Sequence, residues 1–149
     1  MNTQQFLSVV LPPQGPYALH YSIGFDANGK VKLGKPVYAD TLSDFTDKIK
    51  QYDDAGKTVF YRCCSFSEAG GVAGKDNAKE RSCFHLDIDV GPKKDYADRT
   101  VAANELTRVI STLGLPSPMI VSSGTGFHVY WILDVPVTSA AWQPVADRF

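Results

Sequence analysis

The sequence has few of the features that would place a protein in a specialised class. It has three cysteines in 149 residues, Cys63, Cys64 and Cys83. An odd number does not suit a disulfide framework, and the adjacent pair lacks the spacing of a zinc site. We expect all three to be reduced core residues carried on strands. No apolar run approaches the roughly 20 residues of a membrane span, and the first residues do not resemble a signal peptide. These absences predict a cytoplasmic protein with no membrane partner.

An excess of one charge sign is also missing, because 15 lysines and arginines nearly balance 16 aspartates and glutamates. No overall basic field is therefore present to attract nucleic acid. Phosphate binding would need local basic residues, and several bracket one acidic segment: Lys75, Lys79, Arg81, Lys93, Lys94 and Arg99. The 44% of hydrophobic residues is enough for one core, so we expect a single domain.

Apolar periodicity predicts a mixture of strands and helices. The predicted strands cover residues 17–25, 31–38, 58–66, 83–90, 119–123 and 127–133. Asn28-Gly29 suits the turn of a first hairpin, and Ser43 is expected to cap a helix that ends before Gly56. A second helix is predicted to end at Gly114, and a last one to begin near Pro144.

The first candidate site lies in the predicted strand FHLDIDV. Successive side chains of a strand point to opposite faces, so His85, Asp87 and Asp89 should share the face opposite Leu86 and Ile88. The two aspartates then lie about 6.6 Å apart along the strand. Two carboxylates at this separation can converge on a divalent cation or a close metal pair, which would also relieve their repulsion. Oxygen ligands favour Mg²⁺ or Mn²⁺ over zinc. The alternative is two acids that simply face solvent.

The second candidate site is the turn in SSGTGFHVYW. Its backbone N–H groups and hydroxyls could cradle phosphate oxygens. The turn residues are Ser122, Ser123, Gly124, Thr125 and Gly126. A lone strand histidine is more often structural, but alternation places His128 opposite the apolar core residues. If this hairpin lies beside the aspartate strand, His128 would project from the acidic face and could hydrogen-bond a triphosphate.

The glycine-rich loop AGGVAGKD is a near miss to a phosphate-binding P-loop. Ala69 takes the place of the first glycine, and Asp76 replaces the serine or threonine that binds Mg²⁺. We therefore reject a P-loop. The loop is either an arm that brings Lys75, Lys79 and Arg81 toward a phosphate or a solvated charged segment.

Together these residues resemble the archaeo-eukaryotic primase superfamily, most closely the bifunctional DNA primase/polymerase domains of phages and plasmids. The acidic hDhD element of that family matches LDIDV, with Asp87 and Asp89. Its Ser-Gly...His element matches SGTGFH, with Ser123 and His128. The order also agrees, since a helix ending in Gly-Leu-Pro separates the two elements. The resemblance covers about residues 59–149.

The resemblance implies an α+β fold, in which an RRM-like antiparallel sheet packs on helices beside an N-terminal α/β lobe. Residues 1–149 would form one catalytic domain, with the hairpin and helix lobe at 1–58 and the metal- and nucleotide-binding core at 59–149. The implied activity is primer synthesis or DNA polymerisation on single-stranded DNA in phage or plasmid replication, with a fused or partner helicase. The implied location is the cytoplasm of a bacterium or a phage-infected host.

The resemblance also implies roles for individual residues. Asp87 and Asp89 would be ligands of two divalent ions, Mg²⁺ or Mn²⁺. Ser123 and His128, with the glycine turn, would hold the phosphates of the incoming nucleoside triphosphate. Weaker candidates for phosphate or template contacts are Arg62, Lys79 and Arg81.

One departure from the family pattern concerns its third acidic ligand, which lies on a strand beyond the Ser-Gly...His hairpin. Only Asp134 and Asp147 follow that hairpin here, one on the same predicted strand and one in a predicted helix. Neither is a convincing substitute. We expect a fragment that binds nucleotide and Mn²⁺ weakly and polymerises poorly or not at all.

Other functions remain open from the residues alone. DIDV also fits the nucleophile strand of haloacid-dehalogenase-like phosphohydrolases, although their later lysine and acidic pair are absent. A DxD glycosyltransferase is a weaker possibility, because it leaves His128 unexplained. A non-catalytic nucleotide or single-strand binding module would use His85 and Tyr130 as exposed stacking rings.

Overall fold

The computed structural model describes residues 1–148, so Phe149, the last residue of the predicted core, lies outside them. The chain is of mixed α+β class with antiparallel sheets, as predicted. Its residues pack as two compact units: a larger unit of residues 1–82 and 134–148, and a smaller unit of residues 83–133. No helix in residues 1–148 combines the length and apolarity that crossing a membrane requires.

The helices and strands alternate irregularly along the chain. The helices are α1 (Thr3–Val10), α2 (Leu42–Asp54), α3 (Arg99–Leu113) and α4 (Ser139–Ala146). The strands are β1 (Tyr17–Phe25), β2 (Val31–Leu33), β3 (Val37–Ala39), β4 (Val59–Tyr61), β5 (Glu80–Asp89), β6 (Met119–Ser122) and β7 (Gly126–Thr138). In the larger unit, β1 pairs antiparallel with β2, β3 and β4. Because β4 pairs with β1, residues 59–82 belong with the N-terminal part of the chain, and the units do not follow the predicted division at residue 58.

The predicted first hairpin is present, with one interruption. Gly29 adopts a φ of 76° at the turn, and the side chain of Asp26 accepts hydrogen bonds from the N–H groups of Asn28 and Lys30. The predicted return strand is split into β2 and β3. Pro36 lies between the two and has no N–H to donate to a ladder, which explains the break.

Helix α2 lies where the periodicity predicts it, but its cap differs. The hydroxyl of Thr41, not Ser43, accepts from the N–H of Asp44, so the Ser43 prediction was wrong. Thr41 has the extended backbone of an N-cap residue, while Ser43 is already helical. The helix buries Phe45 against the ring of Tyr17, with the ring centroids 5.4 Å apart.

The two ends of the larger unit were predicted poorly. Helix α1 was missed, although Asn2 and Gln5 form a reciprocal capping box at its start. Helix α4 begins at Ser139 rather than near Pro144, because the Thr138 hydroxyl caps the N–H of Ala141. Pro144 therefore lies inside the helix.

All three cysteines are buried, as expected, and none forms a disulfide bond within residues 1–148. Cys63 and Cys64 nevertheless follow the end of β4, so their predicted place on a strand was wrong and only Cys83 lies on one. Cys64 packs in an apolar cluster with Ala18 and Phe66. Burial raises the pKa of the Cys64 thiol to about 11, against a smaller opposing effect of the Arg81 charge.

The smaller unit is a three-stranded sheet with one face covered by α3. Strand β7 lies between β5 and β6. Leu106 of α3 packs against Val129 and Trp131 of β7, which confirms the predicted core face of that strand. Asp98 caps the start of α3, and Gly114 ends it in the left-handed conformation that glycine adopts without strain.

Candidate functional site

The predicted alternation of β5 is present in the smaller unit. Leu86 and Ile88 pack against the core beneath α3, whereas Asp87 and Asp89 stand on the other side of the strand. The side chains of Asp87 and Asp89 are 65% and 41% exposed. The carboxylates are therefore open to a ligand, and their oxygens are the donors that a hard divalent cation prefers.

His128 of β7 lies directly beside the first of these aspartates. Its Nε2 atom is 3.5 Å from Oδ1 of Asp87. His85 lies two residues before Asp87 on β5, and Tyr130 lies two residues after His128 on β7. The rings of His85 and Tyr130 stack on each other. From the first contact to the second, the residue number decreases on β5 and increases on β7. The two strands therefore run antiparallel. The structure thus brings Asp87, Asp89 and His128 to one face of one sheet.

His85 and Tyr130 both lie on this face, as strand alternation predicts, but only one of the two rings is exposed. Tyr130 retains only 4% of its surface, so the prediction of an exposed stacking ring at Tyr130 was wrong. Alternation fixes the face on which a side chain lies, but not whether that part of the face is covered. The His85 ring is exposed.

The predicted phosphate turn follows β6 at the edge of the same face. Gly124 has a φ of 87°, and the N–H of Ser123 donates to the Gly126 carbonyl at 3.1 Å, which closes the turn. No backbone hydrogen bond within residues 1–148 uses the N–H groups of Gly124 and Thr125. The Ser123 hydroxyl is enclosed and also has no partner among these residues. The turn therefore holds two successive free N–H donors, an arrangement suited to an anion.

Gly126 has a structural reason to be glycine. A Cβ atom added there would lie 1.8 Å from the carbonyl oxygen of Ile88 and 3.1 Å from Cα of Asp89. The next residue back, Thr125, accepts a hydrogen bond from the N–H of Val90 at 2.9 Å. The absence of a side chain at Gly126 thus lets the phosphate turn lie against the backbone that carries Asp89.

Two basic residues join the site that were not assigned to it from the sequence. Lys94 Nζ is 2.5 Å from Oδ2 of Asp89, and this hydrogen bond, with the charges of Asp89 and Asp87, raises the pKa of the ammonium above its usual value. Arg99 donates from Nη2 to the Gly124 carbonyl at 2.5 Å. Both belong to the basic cluster seen in the sequence, but their contacts depend on the chain turning back after β5.

A pocket of about 450 Å³ lies beside β5, between the loop after it and α3. This volume is within the range of small-ligand sites. Its walls combine the two aspartates, two lysines and apolar side chains from β5 and α3: Leu86, Asp87, Ile88, Asp89, Lys93, Lys94, Asp95, Tyr96, Glu105, Leu106 and Val109.

The other predicted phosphate contacts belong to the larger unit. The Arg81 guanidinium lies 4.2 Å from the ring centroid of Trp142, and Arg62 and Lys79 donate backbone hydrogen bonds within that unit. The side-chain amide of Asn77 hydrogen-bonds to the backbone of Glu68, just before the glycine-rich loop, and the loop ends in only a three-residue 3₁₀ turn, Lys75–Asn77. The loop thus lacks the helix start that a P-loop uses.

Comparison with known protein families, curated proteins and solved structures finds no match to the chain.

Proposed function

We propose that this chain carries the nucleotide-binding centre of a primase/polymerase-type nucleotidyl transferase that acts on a single-stranded DNA template. One observation carries the proposal: two exposed carboxylates, an imidazole and a turn with free N–H donors share one face of the smaller unit. A triphosphate complexed with a divalent cation needs both kinds of group, oxygen ligands for the cation and donors for the phosphates.

Asp87 and Asp89 are the residues that would hold the cations, Mg²⁺ or Mn²⁺. Their oxygens are exposed and lie on one face, and Asp89 already attracts a positive group, the ammonium of Lys94. Bound divalent ions would supply Lewis-acid polarisation of the phosphoryl oxygens and activation of the attacking hydroxyl.

The phosphate turn and His128 would orient the triphosphate next to those carboxylates. The N–H groups of Gly124 and Thr125 are available to phosphate oxygens, and the guanidinium of Arg99 adds positive charge at the Gly124 carbonyl. His128 Nε2 is 3.5 Å from Oδ1 of Asp87, so a phosphate of a cation complex held by Asp87 would lie within reach of the imidazole. The Ser123 hydroxyl could gain its missing partner if the turn opens slightly around a ligand.

The sheet of the smaller unit, with α3 on one face and polar groups on the other, is the part of the chain that we assign to an RRM-like primase/polymerase fold. The open face would present the nucleotide to a single-stranded template. Within this proposal the protein acts in phage or plasmid replication, with a helicase as its partner.

The experiment is to compare Asp87→Asn with Asp95→Asn in the full chain. Asp95 is a matched control, since it lines the same pocket but lies in the loop after the strand. We expect Asp87→Asn to weaken Mn²⁺ binding, measured by electron paramagnetic resonance, at least about tenfold. Binding of ATP in the presence of Mn²⁺ should fall with it, and Asp95→Asn should stay within about twofold of the wild type.

Two other outcomes would replace the proposal. Unchanged Mn²⁺ binding, with ATP bound equally well by Asp87→Asn, would indicate a binding module that does not use the carboxylates. Metal-dependent hydrolysis of p-nitrophenyl phosphate that is lost in Asp87→Asn would instead indicate a phosphohydrolase, in which Asp87 is the nucleophile.

A further inference from the structure

Lys94 is held where it reaches back to the strand that precedes it. The loop after β5 is closed by two backbone hydrogen bonds: the Gly91 N–H donates to Tyr96 at 2.9 Å, and the Lys94 N–H donates to Gly91 at 3.0 Å. Gly91 has a φ of 147°, which favours glycine. The closed loop returns the Lys94 side chain to Asp89, where the two charged atoms are 2.5 Å apart.

This ion pair occupies the carboxylate that the proposed function assigns to a cation. A divalent ion within about 4 Å of the ammonium would be repelled by it, and at an exposed, screened site this repulsion corresponds to about tenfold in the binding constant. The Lys94 side chain is 50% exposed, so it has solvent space into which it can move. Asp89 therefore cannot serve both partners equally well at once.

We propose that Lys94 is a built-in counter-ion of Asp89, which a divalent cation displaces and which then pairs with a phosphate of the metal-bound nucleotide. This inference rests on the proposed function. It assigns Lys94 as a positioning residue with two opposite effects: it competes with the metal alone, and it supports binding of the metal–triphosphate complex. A residue that only stabilised the loop would not change the two affinities in opposite directions.

Lys94→Met tests the inference, with Lys93→Met as the matched control. Lys93 lines the same pocket but makes no ion pair within residues 1–148. We expect Lys94→Met to bind Mn²⁺ about tenfold more tightly in the absence of nucleotide. At saturating Mn²⁺ it should bind ATP about threefold more weakly. Lys93→Met should change both constants by less than about twofold, and Lys94→Arg should restore the wild-type pattern.

The outcomes separate the inference from the proposed function. If Asp87→Asn weakens Mn²⁺ binding but Lys94→Met leaves it unchanged or weakens it, the role of Lys94 is refuted and the metal site stands. If Asp87→Asn has no effect on Mn²⁺ binding, the proposed function fails and the inference fails with it. If Lys94→Met, but not Lys93→Met, binds Mn²⁺ more tightly and ATP more weakly, both the inference and the proposed function are supported.

Discussion

Replacing Gly126 by alanine should separate β7 from β5 at the candidate site. The added Cβ would lie 1.8 Å from the Ile88 carbonyl oxygen, and ordinary contact begins at 3.4 Å. The difference, 3.4 minus 1.8, is 1.6 Å, and the obstructing atom is backbone that cannot rotate away. The two strands must therefore move apart where the turn accepts the hydrogen bond of Val90.

The destabilisation expected for Gly126→Ala follows from the cost of overpacking, which is typically about 1–3 kcal/mol. Because a backbone carbonyl obstructs the new atom, we expect Gly126→Ala to lower the free energy of unfolding by about 3 kcal/mol. At about 2–4 °C per kcal/mol for a chain of this size, the melting temperature should fall by about 6–12 °C. Displacement of Asp89 should also weaken Mn²⁺ binding.

Gly74→Ala is the matched control for this substitution. Gly74 has an extended backbone, and an added Cβ would meet only the Val72 side chain at 3.5 Å. Alanine should therefore be neutral or slightly stabilising there. Urea unfolding and thermal melting of both variants check the prediction. A Gly126→Ala protein as stable as Gly74→Ala would refute the close approach of the two strands.

Two further predictions concern stability. Burial raises the pKa of the Cys64 thiol from its usual 9.0 to about 11, so the stability that the buried neutral thiol contributes is complete below pH 9 and is lost as the pH rises to about 11. The free energy of unfolding, measured across this range, should fall by about 3 kcal/mol more in the wild type than in Cys64→Ala. An equal dependence of the free energy of unfolding on pH in the two proteins would contradict this prediction. The Asp98 side chain accepts from the N–H groups of Thr100 and Val101 at 2.8 and 3.0 Å, so Asp98→Ala should cost about 1 kcal/mol in urea unfolding, whereas the exposed Asp95→Ala should cost less than half of that.

Strand alternation was sufficient to predict which side chains share the candidate site. Its period of two places Asp87 and Asp89 opposite Leu86 and Ile88 whatever the strand pairs with, and the structure agrees. The pairing with His128 needed one further assumption, that the hairpin lies beside β5. The sheet order confirms that assumption.

Contacts that depend on loop closure could not be predicted in the same way. The ion pair of Lys94 with Asp89 requires the return of the chain at Gly91, and the contact of Arg99 with Gly124 joins residues 25 positions apart. The basic cluster showed that cations were near in sequence, but not which carboxylate or carbonyl each would meet. The prediction that Ser43 caps α2 failed for a related reason. Hydroxyl side chains near the start of a helix compete for the cap position, and backbone conformation decides among them.

The two faces of the sheet in the smaller unit have different roles, and this difference determines how the site can be tested. One face is closed by apolar contacts of Leu106 with Val129 and Trp131, and these contacts stabilise the unit. The carboxylates of Asp87 and Asp89 stand on the other face and contribute no apolar burial. Removing one charge there should therefore leave the fold intact, because exposed ion pairs are worth at most about 1 kcal/mol. A loss of metal or nucleotide binding in Asp87→Asn can then be attributed to the missing ligand rather than to unfolding.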